Sequence, residues 1–227
     1  MTREHPVDGL EELYPFLYSG ASDLDAVLRQ VEQSTVDKVH EIVALRGDVL
    51  AADRDRLFAC AQDMARAFHG GGRLLAFGNG GSSTDAQDLA SLFLSPAGDA
   101  KPLPAFGLTN DIAVVTALSN DIGFDVVFAR QIGAFGRPGD IAVGLSTSGN
   151  SANLVRAFDE AARRGVMTVG IAGYDGGKMA ELDSIDHLFV VPSPSVHRIQ
   201  EAQTTLYHAL WELTLGALDD LAKGDQP

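Results

Sequence analysis

From Arg73 onward the chain repeats one rhythm. Short apolar runs at Arg73–Phe77, Pro102–Gly107, Asp140–Leu145, Met167–Ala172 and His187–Val191 alternate with stretches of helical patterning. Those stretches are Thr84–Leu94, Ile112–Asn120 with Gly123–Phe135, Ser151–Arg164 and Lys178–Leu182. A strand that is apolar along its whole length must be covered on both faces, and an intervening helix is the connection that parallel neighbours require. The expected fold is therefore α/β, with a parallel sheet of five strands between helical layers. Ahead of the sheet, Ser22 to about Leu50 and about Asp53–His69 read as two helices. Ser22 with Asp25 serves as a start signal, and Gly70-Gly71-Gly72 ends the second. After the sheet, Val196 to about Leu221 carries Leu206, Leu210, Leu213, Ala217 and Leu221 as a long apolar stripe. These flanking helices are suited to packing between subunits. Residues 1–20, with Tyr14, Phe16 and Tyr18 as apolar anchors, read as an arm, and 21–227 as one domain.

Composition narrows the partners. Seventeen basic against thirty-one acidic side chains leave a net charge of −14, a field that repels nucleic acid and anionic membranes. No run approaches the roughly 18 apolar residues of a membrane span, and no basic-then-apolar start suggests a signal peptide. The single cysteine, Cys60, lies in an apolar helical stretch and reads as a buried structural thiol, which suits a cytoplasmic protein. Small anions remain possible ligands, because backbone amides and helix ends act locally.

Two turns are built for such an anion. Leu74–Phe77 runs into Gly78-Asn79-Gly80-Gly81-Ser82-Ser83, and a helix opens at once. Glycines let backbone N–H groups crowd round an anion, and the positive helix end completes the cradle. No Lys follows the loop, which excludes the P-loop. Ser83 stands where a dinucleotide fingerprint needs its third Gly, and Asp111 lies too far on for the ribose carboxylate. The second turn, Ser146-Thr147-Ser148-Gly149-Asn150-Ser151, repeats the plan with the hydroxyls of Ser146, Thr147, Ser148 and Ser151. Ser151 also fits a helix N-cap. Both turns point to phosphate held by hydroxyls and amides.

Two helix faces complete the candidate set. Asp85, Asp88 and Leu92 share one face after the first cradle. Asp85 fits a carboxylate favoured by the helix dipole, whereas Asp88 is open to a chemical role. On the last helix His197, Glu201, Thr204 and His208 fall in a narrow sector bordered by Gln200. Such a face can donate, accept or transfer protons, or ligate a metal. His5, His40, His69 and His187 stand alone and read as ordinary polar residues.

Gly78-Asn79-Gly80-Gly81-Ser82, Asn120-Asp121, Ser146–Ser151, Asp175-Gly176-Gly177-Lys178-Met179 and Arg198-Ile199-Gln200-Glu201 together resemble the sugar isomerase (SIS) domain. Their order and spacing are similar to those of phosphoheptose isomerases, from about Val27 to Leu221. The resemblance implies a flavodoxin-like three-layer sandwich, a homotetramer, and ketose–aldose isomerisation of sedoheptulose 7-phosphate. It implies that Asn79, Gly80, Gly81, Ser82, Asn120, Asp121 and Gln200 line the sugar site. It assigns Ser146, Thr147, Ser148 and Ser151 to the phosphate, and His208 to acid–base work. It also implies a zinc ion, for which Asp88, Gln200 and His208 are the candidate ligands, although the chain itself leads us to expect no resident cofactor. The pattern is broken where the family carries a histidine ligand and a catalytic glutamate, because Asp88 and Leu92 stand there. His197 replaces a usual aspartate, so His197 or Glu201 is expected to supply the base. The alternative expectation is a non-catalytic SIS protein that senses a sugar phosphate or scaffolds a partner.

Overall fold

The structure is a computed structural model, and it describes residues 24–98 and 100–224. The expected arm, the Ser22 start signal and His5 lie outside these residues. The chain forms two compact units, one ending at Val43 and the other beginning at Ala44.

The first helix, α1, runs unbroken from Leu24 to His69. Two helices were expected here. Nothing in the sequence ends the first of them, since the join is Leu50-Ala51-Ala52 and alanine is the strongest helix former. Asp53, where the second helix was expected to begin, sits inside the helix and pairs with Arg56 one turn on, at 2.6 Å. Past Gly70–Gly72 come β1 (Leu74–Gly78), α2 (Gly81–Leu94), β2 (Ala105–Gly107), α3 (Ile112–Asp121), and α4 (Val127–Phe135). Then follow β3 (Ile141–Ser146), α5 (Ala152–Arg163), β4 (Met167–Gly173), β5 (His187–Val191) and α6 (Val196–Gly224). The Lys178–Leu182 stretch, expected to be α-helical, is a 3₁₀ turn over Gly177–Glu181. Two glycines with positive φ, Gly176 and Gly177, open it and leave too little chain for an α-helical ladder.

The five strands are all parallel, in the order β2-β1-β3-β4-β5, the flavodoxin-like arrangement. Leu75 pairs with Ala142, Ala142 with Thr168, and Val169 with His187. On one side of the sheet Phe77 packs between Phe128 of α4 and Phe158 of α5, both rings 5.4 Å away. Ile132, Leu154 and Val166 extend that core. On the other side Phe68 of α1 meets Phe93 of α2 at 5.1 Å, and the Thr214 hydroxyl of α6 reaches the Met64 sulfur. Cys60 lies in this layer, fully buried, and burial pushes its thiol far above the ordinary range. It is structural, as expected.

At the N-terminal ends of the strands Arg73 and Asp140 tie β1 to β3. The Arg73 guanidinium donates to Asp140 at 2.6 and 3.2 Å, and the backbone N–H groups of Arg73 and Arg137 donate to the same carboxylate. The order of strands reverses between β1 and β3, so the crevice beyond their C-terminal ends is the place where a ligand fits.

Candidate functional site

Both cradles open into that crevice. The first begins at Gly80, whose φ of 56° turns the chain so that α2 starts at Gly81, three residues before the expected Thr84. A Cβ at Gly81 would lie 2.2 Å from the amide nitrogen of Gln200, so a side chain there would push that amide away. The glycine lets α6 lay Gln200 directly against the loop. Ser82 is buried and Ser83 shares a 2.7 Å hydrogen bond with Thr109, which anchors the helix start to the chain after β2.

The second cradle is held largely by its own hydroxyls. Ser146 Oγ accepts from Gly149 N at 3.1 Å and lies 3.4 Å from Ser151 Oγ, while Ser148 Oγ accepts from Asn150 N. Gly149 has φ +65°, and a Cβ would fall 1.9 Å from the carbonyl oxygen of Gly176. Only glycine fits. Ser151 occupies the N-cap position of α5, but its hydroxyl makes no capping bond. The expectation of a side-chain cap is therefore corrected. The Ser151 hydroxyl turns toward Ser146 instead, and the positive start of α5 is left for an external anion.

A pair of amides joins the two cradles. Asn79 and Asn153 each donate to the other at 2.9 Å. Gln203, fully buried on α6, donates to the carbonyls of Ser146 and Ile171 at 3.4 and 3.3 Å. Sequence reasoning missed Thr109, Asn153 and Gln203. Asn153 stood two residues past Ser151, where a polar residue in an otherwise apolar helix start was the available signal.

The third wall lies between α2 and α6. Gln200 Nε2 donates to Asp85 at 3.4 Å, and the Tyr207 hydroxyl donates to Asp88 Oδ2 at 2.7 Å. His208 Nε2 sits 3.7 Å from that same oxygen, with both side chains about half exposed. The His208 ring stacks on Tyr207 and meets Trp211 edge-on. Burial raises the Asp85 carboxyl, with the Gln200 hydrogen bond opposing it and Asp88 adding to it. Burial, and then the bond to Asp88, push the Tyr207 phenol up, so it stays a donor.

The other candidates fall elsewhere. Glu201 pairs with the buried Arg198, and its carbonyl accepts from Arg46. His197 is exposed in the first turn of α6, eleven residues or about 16 Å along the helix from His208. Asn120 and Asp121 sit exposed at the end of α3, bonded to each other at 2.8 Å. Thr147 is half-buried in the second cradle. Leu92 is partly buried on α2 and brings no donor to the α2–α6 face.

The residues at this face do not suit zinc. Asp88 and His208 are ligands that zinc favours, but they are only two, short of the three or four that zinc sites take. Gln200 offers only an amide, and Leu92 offers nothing.

The comparisons agree with this geometry. The family model described as SIS domain matches residues 39–173. The phosphoheptose isomerase of a Roseiflexus species is 39% identical over 179 residues, covering 78% of this chain and 90% of that protein. The phosphoheptose isomerase of Aquifex aeolicus is 44% identical over 151 residues, 66% of this chain and 78% of its own. The phosphoheptose isomerase structure from Neisseria gonorrhoeae superposes with a TM-score of 0.74 at 36% identity, covering 80% of this chain and 97% of that one. The chain belongs to the SIS domain family and is phosphoheptose isomerase-like.

Proposed function

We propose that this protein binds a phosphorylated sugar in the β1–β3 crevice and interconverts its ketose and aldose forms, with sedoheptulose 7-phosphate as substrate. One observation carries the reading. Two hydroxyl-and-glycine turns at the C-terminal ends of adjacent strands are locked together by the Asn79–Asn153 amide pair, with Gln200 laid against the first. Ser146, Thr147, Ser148, Ser151 and the start of α5 hold the phosphate. Asn79, Gly80, Gly81, Ser82 and Gln200 take the sugar hydroxyls, with Asn120 and Asp121 as further contacts. His208 gives and takes the oxygen-bound proton. The relatives at 39 and 44% identity are both phosphoheptose isomerases, which supports turnover over a non-catalytic sensor or scaffold.

The working form in this reading is a cytoplasmic homotetramer with no resident metal. No helix among the described residues is long and apolar enough to cross a membrane. Leu28, Val31, Val39 and Val43 leave an apolar stripe exposed on α1. A groove of about 750 Å³ between α1 and α6, lined by Phe58, Leu213, Ala217 and Leu221, offers a second apolar surface.

Incubation with sedoheptulose 7-phosphate, followed by NMR, tests the reading. The aldose heptose 7-phosphate is expected to appear, and the ligand to raise the melting temperature. Stabilisation without product would overturn the isomerase reading in favour of a sensor.

A further inference from the structure

An aldose–ketose isomerisation needs a base that moves a proton between adjacent carbons. Leu92 cannot provide one, Glu201 is held by Arg198, and His197 stands about three turns from His208. The α2–α6 face does present a carboxylate beside the imidazole. Asp88 is about half exposed, and its Oδ2 is fixed by the Tyr207 phenol at 2.7 Å and faces His208 Nε2 at 3.7 Å. Its Oδ1 accepts no protein hydrogen bond among the described residues. Gln200, about two turns back on α6, touches the sugar loop at Gly81, so the face is continuous with the first cradle. A ligand whose phosphate lies at Ser146–Ser151 carries its carbonyl carbons at the opposite end, toward this face.

We propose that Asp88 is the general base of the isomerisation and that it acts without a metal ion, in partnership with His208. This rests on the isomerase reading above. The Asp88 carboxylate takes a proton from C1 of the ketose. The C1–H electron pair becomes the C1=C2 bond, and the carbonyl electrons move onto O2, which takes a proton from protonated His208. The resulting enediol then receives the Asp88 proton at C2, while O1 returns a proton to His208 and C1 becomes the aldehyde. No oxidant or reductant is consumed. Tyr207 positions the carboxylate, leaving Oδ1 to face the substrate.

The test uses full-length protein dialysed against EDTA, sedoheptulose 7-phosphate in D₂O, and proton NMR to read both product and deuterium uptake at the exchanging carbon. D88N keeps an oxygen that accepts from Tyr207, so its unliganded melting is expected to stay close to that of the native protein. Its exchange and turnover are expected to fall by on the order of 10²–10⁴-fold, with ligand-induced stabilisation retained. If D88N melts early, its exchange is read at a temperature where its circular dichroism still matches that of the native protein. Exchange undiminished in the variant overturns the inference, as does native activity that EDTA removes and zinc restores. Loss of ligand binding together with exchange overturns it too, because Asp88 would then be a binding residue. Should D85N abolish exchange while D88N keeps it, the neighbouring carboxylate is the base. Native protein with neither product nor exchange overturns the isomerase reading and this inference with it.

Discussion

A carboxylate at the far end of the sheet from the site shows how much geometry one residue can set. Asp140 receives two guanidinium hydrogen bonds from Arg73 and two backbone N–H bonds, and these fix β1 against β3 before either strand reaches its cradle. Burial pushes the Asp140 carboxyl up, but the bonds from Arg73 and Arg137 outweigh it and hold the carboxyl below the ordinary range. A carboxyl depressed on folding adds stability that is present above its unfolded pKa of about 3.9 and is lost as pH falls through the folded value. D140N is therefore expected to lower stability at pH 7 by roughly 3 kcal/mol, because it leaves Arg73 with a weakened partner. It should also flatten the loss of stability below about pH 4. Urea unfolding of both proteins between acid and neutral pH reads both effects. Residues of this kind divide sharply in how legible they were. Gly149 and Ser146 announced themselves because their partners lie within a few residues in sequence. Asn153 to Asn79 and Tyr207 to Asp88 are contacts across 74 and 119 residues, and no local pattern encodes them.

At the scale of elements, α6 connects the cradles to the Asp88–His208 face, and Gln203 is its anchor. The side chain is fully buried and donates to the last carbonyl of β3 and to one in β4. Replacing it with leucine removes both bonds while keeping the bulk, and leaves the carbonyls of Ser146 and Ile171 facing an apolar side chain. Q203L is expected to cost about 1–3 kcal/mol in chemical denaturation. It should also weaken any thermal stabilisation given by sedoheptulose 7-phosphate, since Ser146 carries both the clamped carbonyl and a hydroxyl proposed to hold the phosphate. An unchanged ligand response would make Gln203 a fold residue alone. The elements themselves were largely readable, because apolar runs of strand length are distinct from helical spacing when glycine-rich turns separate them. The expected break at Leu50–Asp53 is absent for a physical reason: without a glycine or proline between the two stretches the helix has no cause to stop. The 3₁₀ turn at Gly177–Glu181 was misread in the opposite way, from apolar residues that sit in too short a segment.

For the whole molecule, the acidic surface and the apolar stripe on α1 act against each other. A net charge of −14 keeps copies apart, whereas Leu28, Val31, Val39 and Val43 are each about half exposed or more and lie within roughly 120° of helix arc. Single exposed apolar residues are ordinary, but a run of them along one helix is a surface that water disfavours. Burying one valine side chain fully stabilises by about 1.5–3 kcal/mol, so four such residues repeated in each copy can outweigh charge repulsion that salt already screens. The native protein is therefore expected to sediment as a tetramer in physiological salt. A V31E/V39E variant, which adds like charge to the stripe, should shift toward smaller species, and more so at low ionic strength, where screening is weakest. Analytical ultracentrifugation across salt concentrations measures this. The unit from Ala44 onward has its own core, so its melting should survive the change even where assembly does not. If the variant keeps the native mass, the stripe is not the contact, and the Phe58–Leu221 groove becomes the surface to substitute next.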